Sequence, residues 1–190
     1  MPTGLDLDTW LSEPQVRTRH RRRAHAPAAR LWEAAETVQV CDAPSLGRVV
    51  RWRIPGTPRN LPFRELFRRY PFTVLAEDET WSVSGLCGKV WTLRRDYPRL
   101  GGAEEFLEWD EPSTVRVLFA HWVVEDGDGS TLFSESRVQP VDRRARLRMR
   151  ALWTAVGGFE RLIGGEALKI AARRAEDSVP QDQSSGAPRQ

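Results

Sequence analysis

The groups in this 190-residue chain able to do acid–base or nucleophilic chemistry near neutral pH are three histidines, His20, His25 and His121, and two cysteines, Cys41 and Cys87. His121 lies in the alternating run "TVRVLFAHWVVED". There it can act as a general base, or it can be a core histidine hydrogen-bonded to Ser134 or to neighbouring backbone. Glu160 is the acid that could join it. Its position is about 60° from the centre of an apolar helical stripe, and the residues three and four places away are Val156, Gly157, Ile163 and Gly164, none basic. Either Glu160 meets His121, with Ser134 and Ser136 beside them, or it turns to the rim and pairs with a surface arginine. His121 and Glu160 are therefore the catalytic candidates.

The other groups read as structural. His20 and His25 lie in the arginine-rich run "VRTRHRRRAHA", and histidines so far apart do not form a metal site. Cys87, in "GLCGKVW", has no histidine near it in sequence and reads as a small buried residue. The two cysteines show no ligand spacing and read as reduced thiols. "EDGDG" lacks the distal glutamate of a calcium loop and reads as a hairpin turn. The chain contains no GxGxxG, P-loop, GxSxG or HExxH, so no metal and no cofactor is expected.

Elements must position these groups. Arginines at 17, 19, 21 and 23 alternate with period two, the pattern of a strand with one charged face. Pro27 opens a helix carrying Leu31, Ala34, Ala35 and Val38. "SLGRVVRWR" predicts a short helix, and "LPFRELFRRY" an amphipathic one through Phe63, Leu66, Phe67 and Tyr70. From Phe72 the period becomes two, predicting strands broken near Asp78 and Gly88, and "EEFLEWD" reads as a further strand. A hairpin folded about Gly127–Asp128 pairs Val123 with Leu132, His121 with Ser134, Phe119 with Ser136 and Val117 with Val138. The other face of that hairpin holds Arg116, Leu118, Ala120, Trp122, Phe133, Glu135 and Arg137. Its charges place it outward, so the His121 face looks to the core. A long helix from about Val141 to Glu176 carries Met149, Leu152, Val156, Phe159, Ile163, Ala167 and Ile170 on one stripe, interrupted by two glycine pairs that could mark a bend.

Composition fits one domain able to bury roughly 70% of its unfolded surface. Hydrophobic residues make up 40% and charged residues 29%, with a net charge of +3. Residues 1–14 read as a leader that Leu5, Leu7, Trp10 and Leu11 could dock on the domain. Residues 15–176 read as a single domain, and 177–190 as a polar, disordered tail. The leader lacks the basic and apolar regions of a signal peptide, and no apolar stretch reaches membrane-spanning length, so a cytoplasmic location without membrane insertion is expected. Arginines spread along the chain do not make the clustered footprint of a nucleic-acid site, so no nucleic acid is expected as partner.

The order is strand, helices, antiparallel strands and a long terminal helix. It resembles the helix-grip fold of the START-like or SRPBCC superfamily, and most of all its polyketide cyclase/dehydrase-like branch of bacterial proteins. The residues that carry the likeness are "RRRAHAPAARLWEA", "FTVLAEDETWSVSGLCGKVW", "GSTLFSESRV" and "ALWTAVGGFERLIGGEALKIAARRAE", over about Val16 to Glu176. The resemblance implies an α+β domain with a curved antiparallel sheet wrapped round the helix and an apolar cavity between them. It implies binding of a small apolar or amphipathic molecule, lipid-, sterol- or polyketide-like. The expected lining is Trp81, Val83, Val117, Phe119, His121, Ser134, Ser136, Trp153, Val156, Phe159, Glu160 and Ile163. Other readings stay open: a cyclase or dehydratase acting on such a molecule, or a regulatory protein working through its arginine-rich surface, either as monomer or homodimer.

Overall fold

The computed structural model describes residues 2–92, 97–163 and 165–178; of residues 155–163 it describes the helical backbone but not the side chains. The elements are β1 (Val16–Ala24), α1 (Ala28–Thr37), α2 (Pro44–Arg53), α3 (Phe63–Leu66), β2 (Thr73–Asp78), β3 (Trp81–Gly88), α4 (Ala103–Glu108), β4 (Val115–Asp126), β5 (Gly129–Pro140), α5 (Arg143–Ile163) and α6 (Glu166–Asp177). The five strands form one antiparallel sheet in the order β1-β5-β4-β3-β2. The architecture is α+β, a curved antiparallel sheet with a C-terminal helix lying against α1 and β1, consistent with the helix-grip fold expected.

The β4–β5 hairpin has the register that alternation predicts, with Val117 opposite Val138, Phe119 opposite Ser136, His121 opposite Ser134 and Val123 opposite Leu132. Its two-residue loop is Gly127–Asp128, where Gly127 adopts φ 65°, a left-handed conformation that glycine enters without steric cost.

The terminal helix is two helices. α5 ends at Ile163, and α6 begins at Glu166 after Gly165, while Gly157 and Gly158 stay within α5. α6 buries Leu168, Ala171, Ala172 and Ala175, a stripe of small side chains that lets it lie close against α1 and β1. It is tied down by polar contacts. The Glu166 carboxylate accepts the Leu46 backbone N–H at 2.8 Å, Arg174 pairs with Asp42 at 2.7 Å, and Glu176 accepts the His25 backbone N–H at 2.9 Å.

"EEFLEWD" is not a strand. Its core is the helix α4, whose Phe106 is fully buried against the sheet. Gly85 makes this possible. A Cβ there would lie 2.7 Å from the Phe106 ring and 2.8 Å from Leu75, so the bare backbone of β3 is the floor on which the ring sits.

The face expected to meet solvent is covered. Leu5, Leu7 and Leu11 of the leader, with Phe106, lie on Val83, Leu118, Ala120 and Trp122, and Trp122 is 0% exposed. Each buried leucine of this strap contributes about 1.5–3 kcal/mol relative to remaining in water. The charges on that face are satisfied internally. Glu135 (2% exposed) accepts hydrogen bonds from Arg137 Nε at 2.7 Å and Arg17 Nε at 2.8 Å, and Arg137 (3% exposed) donates to the Leu11 carbonyl at 2.7 Å. Arg137 also pairs with Asp8, and its guanidinium holds the Asp8 carboxyl below the usual carboxylate range. Arg19 lies over the stacked rings of Trp122 and Phe133, 5.1 Å and 4.9 Å from their centroids. The alternate arginines of β1 are therefore exposed, but two of them help to close the buried layer beneath.

Candidate functional site

The other face of the sheet is apolar at both ends and polar in the middle. At one end Val16, Leu86, Val117 and Val138 meet Ala145 and Met149 of α5. At the other, Ala24, Val123 and Leu132 meet α1 and α6. Between these ends two rows cross the sheet. One runs His20–Ser134–His121–Ser82, the other Thr18–Ser136–Phe119–Ser84, each residue the strand-to-strand partner of the next. Four strands thus place a polar or aromatic pair at i and i+2 on one face, as the pleat demands.

Cavities lie over these rows, between the sheet and the α1, α2, α3 and α6 helices. An inner chamber of about 300 Å³ is floored by Thr18, His20, Phe119, His121, Ser134 and Ser136. Its roof is mostly apolar, from Leu46, Val50 and Ile54 of the α2 region, Phe63, Leu66 and Phe67 in and just after α3, and Leu168 of α6, with Arg53 of α2 beside them. An outer chamber of about 230 Å³ is lined by Trp32, Ser82, Ser84 and a rim of Glu36, Arg64, Arg68, Glu77 and Asp78. A third, apolar, of about 210 Å³, opens beside Phe72, Leu86, Val117 and Val138.

Phe63, Phe67 and His121 line both the inner and the outer chamber. α3 is a single turn, shorter than the amphipathic pattern of "LPFRELFRRY" predicts, and it drops Phe67 between the two spaces. There its ring meets His121, Phe119 and Phe72 at centroid distances of 4.8, 5.3 and 5.1 Å.

Burial pushes the His121 imidazole down to about 4, so it is neutral at neutral pH. The half-buried ring lines both chambers. Thr18 and Ser136 hydroxyls bond each other at 2.7 Å. Among the described residues, none hydrogen-bonds the side chains of His121, Ser134, Ser82 or Ser84, and Ser84 is only 3% exposed. Ser84 is buried and His121, Ser134 and Ser82 are half-buried, and with no partner among the described residues their polar atoms are available to a molecule in the cavity.

Of the residues expected from sequence to line a site, the structure brings Phe119, His121, Ser134 and Ser136 together round the inner chamber, and places Val117 on the neighbouring apolar one. Trp153 packs in the α5 end of the same face. Trp81 and Val83 are corrected. They stand opposite Trp122 and Ala120 and pack in the buried layer on the far side of the sheet, one residue out of phase with the cavity. Val156, Phe159, Glu160 and Ile163 are on α5, but their side chains lie outside the described residues, so the approach of Glu160 to His121 does too. Sequence reading passed over Ser82, Ser84, Thr18, His20 and Phe67. The signal for most of them was the repeated i, i+2 pair: Thr18/His20, Ser82/Ser84, Phe119/His121 and Ser134/Ser136.

The cysteines are apart from this site. Cys41 is exposed, and Cys87 lies buried in the far layer, where burial pushes its thiol up to about 12. Among the described residues no cluster of three His, Cys, Asp or Glu could hold a metal ion, and no helix is long and apolar enough to cross a membrane.

No family model and no curated protein matches the chain. Among solved structures it is similar to protein MLL2253 from Mesorhizobium loti (12% identity, covering 86% of this chain and 99% of that one, TM-score 0.40). It is also similar to Ara h 8.0201 (11% identity, 86% and 99%, TM-score 0.34) and to DynU16, a protein of the dynemicin biosynthetic locus (13% identity, 88% and 49%, TM-score 0.36). At these identities and TM-scores none of the three bears on the chemistry of the site.

Proposed function

We propose that the protein binds a small apolar or amphipathic molecule in the chambers between the sheet and the α2–α3–α6 roof. One observation carries this reading: a cavity of about 300 Å³ has a mostly apolar wall and a polar floor, on which His121 and Ser134 have no side-chain partner among the described residues. That combination, a mostly apolar wall with few fixed polar groups, is what orients and holds a small ligand. The ligand would be lipid-, sterol- or polyketide-like, with its apolar body under Leu46, Val50 and Leu168. Binding is favoured over catalysis because, among the described residues, no acid or base hydrogen-bonds the His121 ring, and a lone neutral imidazole is not a catalytic constellation.

The test is native mass spectrometry of the purified protein for a co-purified small molecule, repeated on Ala167→Phe, which fills the inner chamber from α6. A bound mass lost in the variant supports the reading. A wild type that carries no adduct and binds no apolar probe defeats it.

A further inference from the structure

The outer chamber differs from the inner one in what it could hold. Its floor is Ser82 and Ser84 of β3, next to His121, and the hydroxyls of both serines face the space without a partner among the described residues. Its rim is charged but closed on itself. Arg64 pairs with Glu36 at 2.9 Å, and Arg68 pairs with Glu77. Asp78 adds a further carboxylate, so the lining carries two arginines against three acids. Glu77 is moreover the strand partner of Ser82 on β2, so the two side chains share one face of the sheet. An anion seated on Ser82 and Ser84 would therefore find both neighbouring cations engaged, Arg64 by Glu36 and Arg68 by Glu77, and would meet the surplus negative charge of Asp78, which has no ion pair among the described residues. The neutral imidazole of His121 offers one donor and one acceptor and no compensating charge.

We propose that the outer chamber is a head-group subsite for a neutral oxygen function, a hydroxyl or carbonyl, of an amphiphile whose apolar body lies in the inner chamber, and that it discriminates against a carboxylate in the same place. This rests on the ligand-binding reading above. Phe67, shared by both chambers, is the wall that such a ligand displaces to span them.

The probes are 1-decanol and decanoate, equal in chain length and different in head charge. Calorimetric titration near neutral pH should give a Kd for 1-decanol about ten-fold or more below that for decanoate. Intermolecular nuclear Overhauser effects should connect the carbinol methylene to Ser82, Ser84 and His121, and the terminal methyl to Leu46 and Leu168. Ser82→Ala and Ser84→Ala, each checked for wild-type thermal unfolding, should weaken 1-decanol and leave decanoate unchanged. Glu77→Gln, which removes the facing charge and frees Arg68, should narrow the gap by strengthening decanoate. If both probes bind with equal affinity, or decanoate binds more tightly, the head-group assignment is overturned while apolar binding stands. If neither binds, the ligand-binding reading fails and this one with it.

Discussion

The ring of Phe67 lies tilted against the His121 imidazole, centroids 4.8 Å apart, at the wall between two chambers. One aromatic side chain from the end of a one-turn helix thus decides both the dielectric around the imidazole and the continuity of the cavity. Phe67→Ala should merge the chambers and admit water to the ring. The expected cost is about 2–3 kcal/mol, below that of a fully buried phenylalanine because Phe67 is half-buried. The NMR titration of His121 should move upward from its depressed value, and no movement would show that other residues keep the ring dry.

His121 also gives the fold a pH dependence of known sign. Its folded pKa, about 4, lies below its ordinary value of 6.5, so between these the unfolded chain binds the proton and the folded chain does not. The stability associated with the neutral ring is fully present above about pH 6.5 and is lost as pH falls towards 4. The loss is on the order of 3 kcal/mol, taking about 1.4 kcal/mol per unit. In His121→Gln this contribution is absent. Urea unfolding at several pH values should show the wild type falling faster than the variant through that window. Parallel curves would contradict the burial of a neutral imidazole.

Arg137 is the pin of the leader. It bridges buried Glu135 to the Leu11 carbonyl and to Asp8. Arg137→Met should cost about 3–5 kcal/mol, because it leaves the buried Glu135 charge to the exposed Arg17 and, at 3.6 Å, Arg19. The double variant Glu135→Leu/Arg137→Met should recover much of that loss. Hydrogen exchange should report faster opening of residues 5–11 in the single variant, and unchanged protection there would refute the pinning role.

Gly85→Val should destabilise by about 1–3 kcal/mol through overpacking against Phe106 and Leu75, with their rings and methyls already within 2.8 Å of the new Cβ. Pairing it with Phe106→Leu should restore part of the melting temperature. A fully additive double variant would mean that the two sites do not touch.

Local pattern alone determined the hairpin β4–β5 to the residue, because a two-residue turn fixes register and period two then assigns every side chain to a face. The same logic placed Phe119, His121, Ser134 and Ser136 on one surface. It could not reach Trp81 and Val83. β3 is joined to β4 through residues 89–114, with no tight turn to transmit parity, so the phase of β3 was set only by its pairing in the assembled sheet. Nor could pattern show that the charged face is buried, since Glu135 and Arg137 look like solvent residues until the leader closes over them and each satisfies the other. α4 was likewise decided by packing, since Phe106 needed the bare backbone of Gly85. The glycine pairs already marked the terminal helix as one that could bend, and the structure places the end of α5 at Ile163 and the start of α6 at Glu166. Sequence therefore set the alternations and the polar pairs, while tertiary contact alone chose which face would be covered twice and where the helices would leave room above the serines and His121.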